Sequence, residues 1–203
     1  MTEWPTIHLT QARQVAALMD QKTALPAPEV TVRARFEELK RDNPSQALNF
    51  LVHALPRLEA IYWAAGTIMA ASQSSPPPTG DQQATREAIR SWLEQQDERT
   101  RRLAYDRAQA IARDLPERSL AGAIFYSGGS IAPADAAPIL PIPGLANRLA
   151  ATAVLQAAYL GGDAQAFIAS ALHEAEAVAK HGTRPKTEGP ENESPRTDGR
   201  GAA

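Results

Sequence analysis

Two serines around a glycine pair are the residues of this sequence that come closest to a catalytic element. Ser127, Gly128, Gly129 and Ser130 are consecutive, so two hydroxyls adjoin flexible backbone. A serine nucleophile needs a base and oxyanion donors, and the nucleophile elbow places a glycine two residues on either side of the serine. This spacing does not match, and the end of a helix has the wrong dipole sign for an oxyanion. We interpret the segment as a glycine-terminated helix end and a tight turn.

The four histidines do not form a metal-binding pattern. His173 and Glu174 match the first half of a zincin motif, which needs a second histidine four residues later, but position 177 is alanine. The chain has no cysteine, which excludes disulfides, thiolate metal sites and cysteine nucleophiles. It also has no Walker loop and no dinucleotide fingerprint. The sequence therefore predicts no catalytic residue, no metal site and no cofactor.

Arg99, Arg101 and Arg102 form the densest basic cluster of the chain. Glu98 precedes Arg102 by four residues, so the two can pair on one face of a helix. Because no aromatic residues are interleaved with these arginines, we expect a solvent-exposed, ion-paired face and not a nucleic-acid-binding one.

Glu59 is the one acid within the most apolar stretch, from 57 to 71, and we expect an arginine from another helix to pair with it.

The composition excludes several classes of partner. The formal net charge of the 203 residues is −2, so no strong positive field attracts nucleic acid or an anionic membrane. The longest nearly apolar stretches, 60–71 and 149–162, are shorter than the roughly 18 residues that a membrane-spanning helix needs. The first residues lack the basic segment followed by an apolar segment that marks a secretory signal. We expect a cytoplasmic protein without membrane insertion and without a nucleic-acid partner.

Helical periodicity and helix-start signals place these groups on helices. The segment 57–71 carries apolar residues on almost every side, which is typical of a central helix. Trp63 lies within this segment. No segment shows the alternation of a strand. The side chains placed to cap helices are Thr10, Thr31, Asn43, Asp81, Asp97 and Asp163. The sequence therefore predicts an all-α fold, a compact array of about seven to nine helices.

Residues 127–144 are expected to form an irregular but ordered strap across the helices. Prolines lower the entropy lost when such a segment is held in place. At least one of Gly128 and Gly129 is expected to have positive φ where the chain leaves the preceding helix. The apolar residues, too many for a free linker, are Ile131, Ile139, Leu140 and Ile142.

The two ends of the chain differ in character from the middle. From 182 to 203 no large apolar residue occurs, so this segment cannot offset its ordering entropy by burial and is predicted to be a disordered tail. The predicted organisation is an N-terminal helix and linker over 1–29, a helical domain over 30–181, and the tail over 182–203.

Four short motifs follow one another along the chain: Leu55-Pro56-Arg57, Trp63-Ala64, the run from Phe125 to Pro133 and the run from Pro141 to Gly144. Their order resembles that of a family of bacterial proteins that is defined only as a domain of unknown function. The resemblance spans roughly residues 47–179 and implies an all-helical fold and no activity. Genes of such proteins lie near type VI secretion components, which implies an accessory or adaptor role. The signature residues, which would bind a partner or support the fold, are Arg57, Trp63, Trp92, Ser127, Gly128, Gly129 and Ser130.

Two functions of different classes follow from these observations. The first is a non-enzymatic protein-binding module, such as a secretion-system adaptor or chaperone, which the absent catalytic motifs and near-neutral charge favour. The alternative is a small helical enzyme that uses dispersed acids and arginines in a cavity near Arg57 and Ser127. A deep pocket with converging ionisable groups would favour the enzyme, and a shallow apolar surface would favour the binding module.

Overall fold

The computed structural model of the chain describes residues 4–20, 25–72, 77–133 and 135–183. Within these ranges the chain forms nine α-helices and no β-strand. In chain order they are α1 (Ala12–Leu18), α2 (Val32–Asp42), α3 (Pro44–Ala54), α4 (Arg57–Ser72), α5 (Gly80–Gln95), α6 (Glu98–Ala108), α7 (Pro116–Phe125), α8 (Leu145–Leu160) and α9 (Ala164–His181). The predicted all-α fold is confirmed.

Short polar side chains start most of these helices. Four of the six predicted caps accept a hydrogen bond from the backbone N–H three residues later: Thr31, Asn43, Asp97 and Asp163. The predicted Thr10 cap is wrong, because α1 begins at Ala12 and Gln11 occupies its N-cap position. Asp81 does not cap α5, because Thr79 takes that place and exchanges hydrogen bonds with Gln82. This reciprocal pair satisfies two donors at the helix start, so α5 begins two residues earlier than the Asp81 cap predicts.

The apolar helix α4 lies at the centre of the fold, as its pattern predicts. It packs against α3, α7, α8 and α9. Trp63 on α4 is buried, and its indole Nε1 donates to the Ala171 carbonyl oxygen of α9 at 3.2 Å. The same core cluster extends from Trp4, ahead of α1, to Ala179 near the end of α9. The N-terminal segment and the helices after it therefore share one core.

Among the residues that the structure describes, Glu59 binds Thr183 and no arginine, which corrects the prediction. Glu59 is half-buried near the start of α4 and accepts hydrogen bonds from the backbone N–H of Thr183, at 2.6 Å, and from its hydroxyl. Sequence spacing carries no signal for this contact, since 124 residues separate the two. Gly182 and Thr183 are thereby held against α4. The rest of the predicted tail lies outside the described residues.

Helices α7 and α8 run antiparallel and pack closely along their lengths. The space that a Cβ on Gly122 of α7 would occupy lies 3.2 Å from the Leu149 side chain of α8. Glu117, near the start of α7, and Ala157, near the end of α8, line the same cleft. The strap from 127 to 144 joins the other two ends. The strap and this cleft therefore lie at opposite ends of the α7–α8 pair.

Candidate functional site

The strap leaves α7 through a left-handed turn, as predicted. Helix α7 ends at Phe125, and Gly129 has a φ of +68°. At its far end Gly144 has a φ of +79° and precedes α8. Between these two glycines the described residues form no helix and no strand. Glycine adopts such φ values without steric cost, which explains its presence at both turns.

Arg101 of α6 holds the strap in place. Its side chain is buried, and its guanidinium donates to the carbonyl oxygens of Phe125 and, at 2.8 Å, of Ser130. It also lies over the Phe125 ring at 4.8 Å. The expectation of a solvent-exposed arginine face is wrong for this residue, because the end of α7 and the strap cover it. Its donors satisfy carbonyl groups that the end of α7 leaves without helical partners.

Arg102 extends the same contact, and we call the two residues the arginine clamp. It donates to the carbonyl oxygens of Ser130 and Ala132, both at 2.9 Å. Glu98 accepts from Arg101 at 2.8 Å and from Arg102 at 2.7 Å, so the predicted i, i+4 pair is present. The hydrogen bond from Arg101 lowers the pKa of Glu98, and Arg102 adds to this effect. Charge-assisted bonds of this kind fix both guanidinium groups.

The two signature serines fold the turn and the strap. The buried Ser127 hydroxyl donates to the Ile124 carbonyl oxygen at 2.7 Å. The Ser130 hydroxyl accepts from the backbone N–H groups of Ala132 and Ile139, both at 3.1 Å. In this arrangement the hydroxyls satisfy backbone groups, and no basic side chain of the described residues accepts their protons. The contacts support the interpretation of the segment as a turn.

The strap exposes its large apolar side chains, which corrects part of the prediction. Ile139, Leu140 and Ile142 are 57%, 74% and 63% exposed, and we call them the aliphatic face. Apolar packing therefore does not hold this part of the strap. Polar contacts do so instead, through Ser130 and the arginine clamp. An apolar surface on a backbone that is fixed by hydrogen bonds is the arrangement expected of an interaction site.

Two aromatic residues adjoin the clamp. Tyr105 stacks on Phe125 with ring centroids 4.2 Å apart, and Tyr126 meets Phe125 edge-on at 5.2 Å. Burial raises the pKa of Tyr126, and a hydrogen bond with Tyr105 adds to the rise. At the start of α6 the pKa of Asp97 is lowered by the backbone N–H of Thr100, which it caps.

The signature tryptophans are core residues, and Arg57 lies elsewhere. Trp63 and Trp92 are both buried. Arg57 lines a cleft of about 460 Å³ at the start of α4 together with Thr6, His8, Pro56, Leu58, Glu59 and Tyr62. Ser127 and Ser130 do not line this cleft. The structure therefore does not bring Arg57 and the serines together in one cavity.

His53 is a buried ionisable group that the sequence did not single out. Its Nδ1 lies 2.7 Å from the Asn49 carbonyl oxygen and donates to it, and Nε2 has no partner among the residues described. Burial lowers its pKa, and the nearby Arg148 charge lowers it further, although the bond to Asn49 opposes both. The loss of charge on burial fits a neutral core histidine.

The described residues contain neither a cluster of metal ligands nor a membrane-spanning helix. No group of three or more histidine or acidic side chains is placed to hold a metal ion within the part of the chain that the structure describes. None of the helices described there combines the length and the apolar content needed to cross a membrane.

Comparison with known proteins yields a family and no activity. No curated protein and no solved structure matches the chain. Residues 36–179, more than half of the chain, match the model of a family described as a family of unknown function, DUF6931. This range contains the helices from α3 to α8 and the whole strap. The chain therefore belongs to this family of unknown function, as the order of its short motifs predicts.

Proposed function

We propose that the chain is a non-enzymatic protein-binding module and that the aliphatic face of the strap is its recognition element. The observation that carries the proposal is the exposure of Ile139, Leu140 and Ile142 on a strap that is anchored nearby. The arginine clamp binds the Ser130 and Ala132 carbonyl oxygens, and the Ser130 hydroxyl binds the Ile139 N–H. A fixed apolar segment loses little entropy on binding, since its ordering cost is met during folding.

The character of the surface supports an apolar partner. No residue from 136 to 147 carries a charged side chain. Recognition at the strap therefore depends on apolar contact and not on salt-sensitive charge pairing. An accessory, adaptor or chaperone role in bacterial type VI secretion, and a cytoplasmic location, are the finer predictions from the sequence.

The enzyme alternative has less support. Ser127 uses its hydroxyl as a donor to Ile124, and the cleft that Arg57 lines does not include either signature serine. Glu59, the acid in that cleft, is engaged with Thr183. These groups do not converge on one reacting atom, as catalysis by them requires.

Quantitative affinity capture from the native host tests the proposal. Leu140→Asp places a charge on the most exposed residue of the aliphatic face, and Ala169→Asp places the same charge on an exposed residue of α9. We expect a defined set of proteins to be recovered with the wild type and with Ala169→Asp but depleted at least about tenfold with Leu140→Asp, equivalent to 1.4 kcal/mol. Equal recovery of the same proteins with the wild type and with both variants would contradict the proposal.

A further inference from the structure

A second apolar site lies at the end of the α7–α8 pair opposite the strap. It is a cleft of about 760 Å³ between the start of α7 and the end of α8, and we call it the Arg86 cleft. Its volume and its apolar walls with few polar groups are typical of binding clefts. The apolar side chains that line it include Ile68, Leu115, Pro116, Ala157, Leu160 and Phe167.

The polar side chains that line this cleft are Gln82, Arg86, Glu117 and Asp163, and the Arg86–Glu117 pair leaves one donor and one acceptor available. Arg86 Nε donates to Glu117 Oε1 at 2.8 Å, and Nη2 lies 2.7 Å from the same oxygen. Neither Arg86 Nη1 nor Glu117 Oε2 has a hydrogen-bond partner in the ranges that the structure describes. Because the two charges offset each other, the pair does not select an ion. An adjacent donor and acceptor match the carbonyl oxygen and N–H of a peptide backbone.

The strap has the properties that such a cleft requires of its occupant. It is uncharged from 136 to 147, and it presents three aliphatic side chains. The N–H and carbonyl groups of Leu140 make no hydrogen bond to any described residue. An apolar segment with a free peptide amide thus stands at one end of the molecule, and a cleft suited to such a segment stands at the other.

A strap cannot reach the cleft of its own chain. Helix α8 has 16 residues, so about 24 Å separates its two ends. The strap is attached at the start of α8 and is held there by the arginine clamp. The cleft includes Leu160 at the end of α8. Only the strap of another molecule can therefore meet this cleft.

We propose that the strap of one copy docks into the Arg86 cleft of a second copy, so that the chain assembles head to tail. This inference rests on the proposed function, because it assigns the partner of the same strap. An interface of two unlike surfaces is heterologous, and its repetition gives a ring or an open chain. Pairing of two straps would instead leave the Leu160→Asp variant able to oligomerise, so the test below distinguishes it from docking into the cleft.

Analytical ultracentrifugation of the full chain with complementary variants tests the assembly. Leu140→Asp disables the strap, and Leu160→Asp disables the cleft at a residue that is 62% exposed, so neither variant disturbs the core. We expect the wild type and the control Ala169→Asp to form oligomers that grow with concentration, and each disabling variant alone to stay monomeric. An equimolar mixture of the two should form a one-to-one dimer and nothing larger, because one intact strap and one intact cleft remain.

Three outcomes would overturn the assembly. They are a wild type that is monomeric at every concentration, oligomers that persist in either disabling variant, and a mixture that does not recover a dimer. A monomeric wild type whose strap still captures another host protein, in a Leu140-dependent way, would defeat the assembly and leave the proposed function standing. Failure of the capture as well would defeat both.

Discussion

Arg101 lies on α6, but its hydrogen bonds serve the strap and the end of α7. Replacing it in Arg101→Gln removes the donors to the carbonyl oxygens of Phe125 and Ser130. We expect a loss of about 1–3 kcal/mol in the free energy of unfolding, since a buried acceptor without a partner costs this much. Urea unfolding measures the loss. The matched control Arg99→Gln changes an exposed neighbour whose side chain donates to Gln95, and it should be nearly neutral. Equal losses in both variants would contradict the clamp.

His53 should make the stability of the protein depend on pH. Its pKa is lowered in the folded state, so the unfolded chain binds the proton more readily. The stability is therefore complete above the usual histidine pKa near 6.5 and declines as the pH falls through that value toward the folded pKa, by at most about 1.4 kcal/mol per pH unit. Unfolding in urea between pH 5 and pH 8 measures this slope.

The matched variants for that measurement are His53→Gln and His173→Gln. The first removes the buried titrating group and should flatten the slope in this pH range. The second removes an exposed histidine and should leave the slope as in the wild type. A slope that His53→Gln does not reduce would show that other groups cause the pH dependence.

Trp63→Ala should lower the free energy of unfolding by about 3–5 kcal/mol, the usual cost of emptying a large aromatic site. The residue is buried in α4, and the change also leaves the Ala171 carbonyl oxygen without its indole donor. Chemical unfolding measures this loss. A change of a few tenths of a kcal/mol, as at an ordinary surface position, would be incompatible with this packing.

The residue scale is also where sequence reasoning was least complete. Capping residues such as Asn43 and Asp163 were predictable, because their contacts lie three residues away. The partners of Glu59 and Arg101 lie 124 and 24 to 29 residues away, and no local pattern encodes them. The charged neighbours of Arg101 in the sequence predict an exposed side chain, but the side chain is buried.

At the scale of elements, the two positive-φ glycines of the strap should differ in how they respond to a side chain. A Cβ on Gly144 would overlap the Leu18 backbone carbonyl oxygen, whereas one on Gly129 would meet the ends of the Arg101 and Glu98 side chains. Both alanine variants incur about 1–3 kcal/mol from the left-handed backbone, and Gly144→Ala should lose more because a backbone atom cannot move aside. Thermal melting of each variant measures the order.

Gly128→Ala provides the control for this pair. A Cβ there meets no atom within 4 Å, and the residue is not in the left-handed region. It should melt close to the wild type. If Gly129→Ala were as mild as Gly128→Ala, the left-handed exit from α7 would not hold the strap in solution.

The elements themselves were largely predictable, and the direction of the strap's side chains was not. The helices follow from apolar periodicity and from capping residues, which are local signals. The irregular path and the positive φ at the glycine pair also follow from local residue types. Whether Ile139 and Leu140 point inward or outward depends on what the neighbouring helices place beneath them. Here the strap is held by polar contacts of Ser130 and the arginine clamp, and Ile139 and Leu140 are exposed.

At the scale of the whole molecule, the fold separates a packed core from two apolar sites on its surface. The core is continuous from Trp4 to Ala179 and surrounds α4. The antiparallel α7–α8 pair carries the strap at one end and the Arg86 cleft at the other. Copies that join strap to cleft would therefore line up along the α7–α8 pair.

The central claim is that the aliphatic face of the strap contacts another protein. Photo-cross-linking in living host cells tests it most directly, with a benzophenone amino acid in place of Leu140 and, as the control, in place of Ala169 on α9. Both positions are exposed, so the probe does not disturb the core. The account predicts discrete cross-linked species from position 140, to a second copy or to another protein, and none from position 169. No adduct from position 140, or the same adducts from both positions, would contradict it.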